Sequence, residues 1–227
     1  MTLPLLLLAA SCAGAQPPVA AAGSVVRSKE WVIRRGKKRE EEFKGDVRYE
    51  SAGARLDADW ALYRHATRDW RARGGVRLRK TLKGGDEIEA RGESARHDEK
   101  TQEGALDPAP GGRVDLVRTP LEGGPDRGEA GRLSWKGEET VTLSNGARVW
   151  GPRLELLADS ARYERPERRL VLEGGRPVLR KVSGEWTTAL KADRIVAAEV
   201  PRRVEAMGSV RGWLIFKDPA KLKEPAK

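Results

Sequence analysis

Along most of the chain, hydrophobic and polar residues alternate with a period of two. Examples are residues 47–49 (VRY), 76–78 (VRL) and 141–143 (VTL). Beyond residue 25, no window longer than a turn or two holds apolar residues at helical spacing, and pairs such as Asn145-Gly146 interrupt the runs. Such alternation is typical of strands with one buried face, and such pairs are typical of turns. The pattern therefore predicts many short strands in an all-β sheet, sandwich or open roll.

One segment of the chain occurs twice without a gap. Residues 56–75 read LDADWALYRHATRDWRARGG and residues 156–175 read LLADSARYERPERRLVLEGG, with eight identities in 20 aligned positions. A third copy, 34 residues after the second, aligns Leu190, Ala192, Asp193 and Ile195. A weaker copy, 34 residues after the first, places Ala90, Gly92, Glu93, Ala95 and His97 at the positions of Leu56, Ala58, Asp59, Ala61 and Tyr63. Self-similarity at such periods predicts a repeated supersecondary unit.

Each copy is interpreted as a hairpin with a polar turn and a return strand that contains Gly-Gly. The apolar parity changes within the first strand, because Leu56 and Ala58 are two residues apart whereas Ala58 and Ala61 are three apart. A β-bulge near Asp59 would restore the register and bend the strand. The repeated aspartate is therefore interpreted as a turn or bulge residue that binds local backbone amides. A catalytic role is disfavoured because no partner for acid–base chemistry accompanies it.

Composition divides the chain into segments. Residues 31–216 are predicted to form one β-domain, preceded by a flexible Ala/Pro/Gly tether at 13–30. Residues 99–131 are dense in Gly and Pro and are predicted to be a loop insertion, with one short strand at 114–117. Residues 217–227 are predicted to be a polar tail.

The overall composition favours a thin, extended β structure. Hydrophobic residues make up 38%, aromatic residues 5% and charged residues 34% of the chain, which is too little apolar material for a thick core. The net charge of +10 indicates either simple solubility or an anionic partner such as nucleic acid, anionic lipid or phosphorylated glycan.

The N-terminus resembles an export signal. A short apolar run from Leu3 to Ala10 ends in small residues, and it is too short to span a bilayer. Cys12, the only cysteine, follows Ser11 in a lipobox-like context, which predicts lipid attachment at Cys12 and an export signal over residues 1–12. The alternative is plain cleavage after Ala15, which would remove Cys12. Both alternatives predict a protein outside the cytoplasm.

Catalytic and metal-binding motifs are absent from the sequence. It contains no phosphate-binding glycine loop and no G-x-S-x-G elbow, and its two histidines, His65 and His97, have no nearby cysteine to complete a metal site. We therefore expect no catalytic residue, no metal and no cofactor.

The repeated strand, apolar-x-small-Asp-x-apolar-x-Tyr with a return strand closing in Gly-x-Val, resembles the OstA/LptA/LptC family, the periplasmic components of lipopolysaccharide transport. The likeness covers about 45–216 and is carried by residues 56–63 with 74–78, 156–163 with 170–178, and 190–195 with 204–210. It implies a non-enzymatic protein with an open, twisted β-jellyroll that holds acyl chains between two sheets. It also implies edge-strand pairing with other jellyroll proteins into a bridge from the inner to the outer membrane. The family's membrane-proximal member is usually held by a transmembrane helix, for which a lipid on Cys12 would substitute.

A roll of this kind needs aliphatic or small residues inward and charges outward. The alternation and the resemblance together assign an acyl-binding groove to Leu56, Ala58, Trp70, Val76, Leu78, Val141, Leu143, Leu154, Leu156, Ala158, Leu170, Leu172, Leu190, Ala192, Val204, Ala206 and Val210. Val47 and Leu133 are also predicted to face inward, and basic side chains at the rim would meet phosphates or acidic sugars. The implied ligand is lipopolysaccharide or a related glycolipid.

Two other functions compete with lipid transport. The basic charge would suit nucleic acid, but export and the lack of an aromatic RNA-binding motif argue against it. The repeats would also suit a structural surface lipoprotein, a solenoid or adhesive rod with a filled interior and no lipid cargo.

Overall fold

The computed structural model describes residues 24–36, 39–51, 53–82, 85–121, 124–137, 139–199 and 201–216. Every regular element in these ranges is a β-strand, and every strand pairing is antiparallel, so this part of the chain holds no helix that could cross a membrane. The strands are β1 (Val25–Arg27), β2 (Glu30–Arg34), β3 (Glu40–Ser51), β4 (Ala54–Arg64), β5 (Asp69–Thr81), β6 (Glu87–Asp98), β7 (Glu103–Asp107), β8 (Val114–Thr119), β9 (Asp126–Ala130), β10 (Arg132–Lys136), β11 (Thr140–Trp150), β12 (Leu154–Glu164), β13 (Arg169–Glu173), β14 (Val178–Ser183), β15 (Trp186–Lys191), β16 (Arg194–Glu199), β17 (Arg202–Met207) and β18 (Arg211–Phe216).

The strands form one continuous sheet that bends along a corner into two halves. Sheet I contains, in order, β1, residues 47–51 of β3, 54–58 of β4, 76–81 of β5, 87–92 of β6, β8, β9, 147–150 of β11, 154–158 of β12, β14, β15 and β18. Sheet II contains β2, residues 40–44 of β3, 60–64 of β4, 69–73 of β5, 94–98 of β6, β7, β10, 140–144 of β11, 160–164 of β12, β13, β16 and β17. The predicted all-β, open jellyroll is confirmed.

The corner is made by pairs of residues in the left-handed backbone region. Gly74 and Gly75 have φ angles of +81° and +55°, and Gly174 and Gly175 have +76° and +62°. The ladder between β4 and β5 shifts register at this point, and so does the ladder between β3 and β4 at Lys44/Val47. The positive-φ pairs supply the extra residue that turns each strand from one sheet into the other.

The aspartate of each repeat lies across the corner from these glycines. A Cβ added at Gly74 would lie 2.5 Å from Oδ2 of Asp59, and one at Gly174 would lie 2.8 Å from Cβ of Asp159. The repeated sequence therefore encodes a corner: the aspartate packs against the next strand where that strand has no side chain. This explains why Asp and Gly-Gly recur together along the chain.

The parity change predicted for the first repeat is present in β4. Leu56 and Ala58 are buried on one side of the corner, and Ala61 and Tyr63 are buried on the other. Both halves of the strand therefore face the same interior, and the register shift lies between Asp57 and Trp60, next to Asp59.

Residues 99–131 are not a loop insertion. They contain β7, β8 and β9, which continue sheets I and II between β6 and the later strands. Leu106, Val114 and Ala130 in this segment are fully buried. The short strand predicted at 114–117 is confirmed within β8. The loop prediction was wrong for the rest because these strands are only five or six residues long, so the glycines of the turns between them dominate the local composition.

Part of the segment predicted to be a tether is a strand instead. β1 lies within residues 13–30, and its residues Val25, Val26 and Arg27 pair with Glu50, Tyr49 and Arg48 of β3. The export signal, Cys12 and the tail at 217–227 lie outside the described residues.

Candidate functional site: the slot between the sheets

The inner faces of the two sheets enclose a narrow apolar slot. On sheet I, one row of paired residues runs Val26, Tyr49, Leu56, Leu78. On sheet II, the facing row runs Tyr63, Trp70, His97, Gly104, Trp135. The two rows meet where the Tyr49 and Trp70 rings stand 5.8 Å apart.

Aromatic rings fill the N-terminal part of the slot. Trp70 lies 4.6 Å from Tyr63 and 6.2 Å from Phe43, measured between ring centroids. The space left among the walls is about 20 Å³, which is room for one water molecule. An acyl chain could occupy this part only if the sheets moved apart.

One buried carboxylate, Glu99, lies at the sheet II side of the slot with its hydrogen bonds satisfied. The Tyr63 hydroxyl donates to Oε2 at 3.1 Å, and Trp70 Nε1 donates to Oε1 at 3.1 Å. Arg68 Nε also lies 3.4 Å from Oε2. Burial, followed by the neighbouring Glu99 charge, raises the pKa of Tyr63, so the phenol stays protonated and keeps donating.

Three other polar side chains of the slot are buried without a hydrogen bond in the described part of the chain. They are Tyr49, His97 and Trp135, which are only 2%, 5% and 5% exposed. The Tyr49 hydroxyl lies near Ser24 and Ser51, and the His97 ring lies near the backbone of Glu103, but neither contact has hydrogen-bond geometry. Burial lowers the pKa of His97 and raises that of Tyr49, so both side chains are neutral near pH 7.

Gly104 positions the indole of Trp135. His97 and Trp135 lie on either side of Gly104 across adjacent strands, and their rings stack at 6.1 Å with an interplanar angle of 21°. A Cβ at Gly104 would overlap the indole and lie 2.7 Å from Nε1. The glycine therefore lets Trp135 lie flat over the backbone beside His97.

Most predicted groove residues face the interior. Those that are buried are Leu56, Ala58, Trp70, Val76, Leu78, Val141, Leu143, Leu156, Leu172 and Ala192. Those that are partly buried against the core are Ala158, Leu170, Leu190 and Ala206. Val47 and Leu133 are also buried. Of the predicted groove set, Leu56, Trp70 and Leu78 line the slot itself, and the other buried or partly buried members pack elsewhere between the sheets.

Three predicted groove residues are exposed instead of buried. Leu154 is 41% exposed at the first position of β12, and Val204 and Val210 are each 51% exposed. Val204 lies in β17, and Val210 lies in the corner between β17 and β18. No further strand of the described residues covers the inner face there. Strand alternation gives the direction of a side chain but not the position at which the roll ends.

The exposed residues mark an open end of the roll. Val204 of β17 continues the inner row of Leu170 and Ala197 on sheet II. Leu214 of β18, 53% exposed, pairs with Thr188 on sheet I and lies on the inner face as well. The two inner faces therefore reach solvent at the C-terminal end with apolar side chains on both.

Several slot residues were not predicted as site residues, namely Val26, Tyr49, Ala61, Ala72, Ala95, His97 and Trp135. The signal for two of them was in the repeat, because Ala95 and His97 align with Ala61 and Tyr63 in the weaker copy. Trp135 follows the inward Leu133 at strand spacing and could have been inferred from it.

The outer faces carry the charge. Asp57 accepts from Arg55 at 2.7 Å and from Arg48 at 3.2 Å, and Arg79 lies 2.7 Å from Glu89. Partial burial raises the pKa of Asp57, but the hydrogen bonds and charges of the two arginines outweigh it and leave this pKa below its usual value. Many of the arginines behind the net charge of +10 therefore hold cross-strand ion pairs.

The outer face of sheet II also forms a polar trough of about 830 Å³. Its floor runs through the paired residues Arg71, Arg96, Ala105, Ser134 and Thr142. It shares Trp70, His97 and Trp135 with the lining of the apolar slot, and its cations are interleaved with Asp69, Asp98 and Glu103.

No protein-family model matches the chain, and no curated protein matches it. Among solved structures, it is similar to the crystal structure of LptH, the LptA-homologous periplasmic component of the conserved lipopolysaccharide transport device of Pseudomonas aeruginosa. The TM-score is 0.43 and the sequence identity 15%, over 58% of this chain and 95% of that chain. A likeness this distant assigns no ligand to this protein.

Proposed function

We propose that this protein is a non-enzymatic carrier of lipopolysaccharide or a related glycolipid in the periplasm, anchored by a lipid on Cys12. The observation that carries the proposal is the apolar inner face, which continues from the packed slot to the uncovered residues Val204 and Leu214. Burying hydrocarbon on such a surface gains about 0.8 kcal/mol per methylene group.

The contacts that join the two sheets would permit a hydrocarbon chain to enter between them. Among the described residues, each backbone pairing lies within sheet I or within sheet II, and the sheets are continuous only through the corner. Away from the corner, side chains such as Tyr49 and Trp70 hold them together. A hydrocarbon chain entering from the open end would replace these side-chain contacts without breaking a strand ladder.

The edges of the roll support pairing with neighbours into a bridge. β1 and β2 at one end, and β17 and β18 at the other, each pair with one strand in the part of the chain that the structure describes. Each edge therefore consists of one strand of sheet I, β1 or β18, and one strand of sheet II, β2 or β17. A second jellyroll could add to either edge by β-augmentation and prolong both sheets.

Photo-crosslinking at the open end tests the carrier function. Val204 and Leu214 face inward, whereas their neighbours Glu205 and Trp213 point to the opposite face of the same strands. Leu214 and Trp213 are 53% and 46% exposed, so accessibility alone does not separate them. A photoreactive residue at 204 or 214 is expected to capture glycolipid in cells, and one at 205 or 213 is not. Equal capture at all four positions would refute an internal path.

A second function, a structural rod without cargo, is favoured by one observation. The slot retains only about 20 Å³, as expected of a filled interior. A rod would show no glycolipid capture at 204 or 214, and its hydrogen exchange would be unchanged by added glycolipid.

A further inference from the structure

The slot has a chemical feature that a plain hydrocarbon would not use. Tyr49, His97 and Trp135 together carry four buried polar atoms without a hydrogen bond to any described residue: Oη, Nδ1, Nε2 and Nε1. All three side chains line the slot and are at least nine-tenths buried. A buried polar atom without a partner is destabilising, so four of them at one slot call for a ligand or a water molecule.

The neighbouring polar groups show that the fold can satisfy such atoms. Trp70 and Tyr63, in the same row of sheet II, both donate to Glu99. Trp135 lies two strand pairings further along this row from His97, over Gly104, and reaches no equivalent acceptor among the described residues. The rings of Trp135 and His97 are therefore held side by side at the slot by the glycine and the ring stacking.

We propose that the slot selects an acyl chain that carries a hydroxyl group. The inference rests on the proposed carrier function and adds the chemical class of the acyl chain that is bound. Trp135 Nε1 can only donate, so the ligand must supply an acceptor oxygen. Neutral His97 offers one donor and one acceptor nitrogen, and the Tyr49 hydroxyl can do either. A hydroxyl accepts from Trp135 and donates to His97, whereas the rest of the chain contacts Leu56, Leu78 and Trp70.

Binding of matched fatty acids to the full chain tests this selection. The probes are tetradecanoic acid, 3-hydroxytetradecanoic acid and isomers with the hydroxyl further along the chain, measured by displacement of a fluorescent fatty acid. We expect at least one hydroxylated isomer to bind about five- to tenfold more tightly than tetradecanoic acid, the equivalent of one hydrogen bond.

Two variants that remove unpartnered polar atoms identify the source of the preference. Tyr49→Phe and Trp135→Phe remove polar atoms that have no partner in the folded protein, so both are expected to fold. In each variant, the ratio of the affinity for the hydroxylated acid to the affinity for tetradecanoic acid should fall towards one. Trp60→Phe is the control, because Trp60 Nε1 donates to Glu42 on the outer face, 2.7 Å away.

The outcomes separate this inference from the carrier function. If all the acids bind equally, the carrier function stands, the polar atoms hold only a water molecule, and the inference is wrong. A preference that persists in both slot variants would overturn it as well. If no acid binds, both the carrier function and the selection are wrong.

Discussion

Asp59, Asp159 and Asp193 occupy equivalent places at the corner, each against a glycine of the following strand. The contact leaves no room for a Cβ at Gly74, Gly174 or Gly208. At the residue scale, the sequence repeat therefore follows a packing rule: the aspartate fits only where the next strand has a glycine. Asp and Gly recur together because each requires the other. The direct contact partner of the aspartate, a glycine from the next strand, could not be predicted from strand alternation.

Two adjacent glycines test this rule. Gly74 and Gly75 both have positive φ, but a Cβ would clash with Asp59 only at Gly74, since nothing lies within 4 Å at Gly75. Gly75→Ala should lower the free energy of unfolding by about 1 kcal/mol through backbone strain. Gly74→Ala should lower the free energy of unfolding, measured by urea denaturation, by at least about 2 kcal/mol. Adding Asp59→Gly should restore part of this loss. Equal costs for the two alanines would contradict the packing rule.

His97 predicts a pH dependence of stability. Its pKa is lowered by burial from the ordinary 6.5, even though the charges of Glu99 and Asp98 oppose the shift. The unfolded chain therefore binds a proton that the folded protein does not, and the free energy of unfolding falls as the pH drops below about 6.5. Carboxylates with lowered pKa values, such as Asp57 and Asp69, contribute only at lower pH.

Urea unfolding at about pH 7.5 and about pH 5.5 measures this effect. The wild type should lose stability between the two values, and His97→Leu should lose markedly less. An identical loss in both proteins would mean that His97 is not the responsible group.

At the scale of elements, the period-two pattern and the repeats predicted the strands, the bends and most of the inward residues. The prediction was wrong for 99–131, where β7, β8 and β9 break at the corner instead of bending through it, so that turn residues separate short strands. Leu154, Val204 and Val210 are exposed, although Val204 lies on the inner face, because exposure depends on what covers a strand. The grouping of His97 and Trp135 at the slot depends on the register of β6, β7 and β10. The hydrophobic pattern of a single strand does not contain this register.

A pair of valines tests the revised assignment of 99–131. Val114 of β8 is fully buried, whereas Val210 is 51% exposed. Val114→Ala should lower the free energy of unfolding by about 2 kcal/mol, for two lost methyl groups and the cavity they leave. Val210→Ala should change it by less than about 0.5 kcal/mol. If chemical denaturation shows that Val114→Ala is as mild as Val210→Ala, the segment is not part of the core.

On the scale of the whole molecule, the roll has two unlike edges, and pairing one with the other would be head-to-tail. Such a contact generates rings where the rotation closes and open filaments where it does not, and it does not generate two-fold dimers. Since each edge spans both sheets, the apolar interior would run from one copy to the next, and a bridge and a lipid path would form together.

Charges on the inner face of the C-terminal edge should block this assembly. Val204→Lys combined with Leu214→Lys places two cations inward on β17 and β18, and inward charges on an edge strand oppose further pairing. Sedimentation velocity over a concentration series should show association of the wild type and of Glu205→Lys, whose change lies on the outer face. It should show a monomer for the double variant. Unchanged association of the double variant would exclude this edge from the contact.

The most direct measurement is mass spectrometry of lipids extracted with organic solvent from protein that was purified from cell membranes. The lipid path through the roll predicts a glycolipid at near-stoichiometric amount, reduced in the Val204→Lys, Leu214→Lys variant and retained in Glu205→Lys. Protein that carries no glycolipid, or the same trace in all three forms, would contradict it.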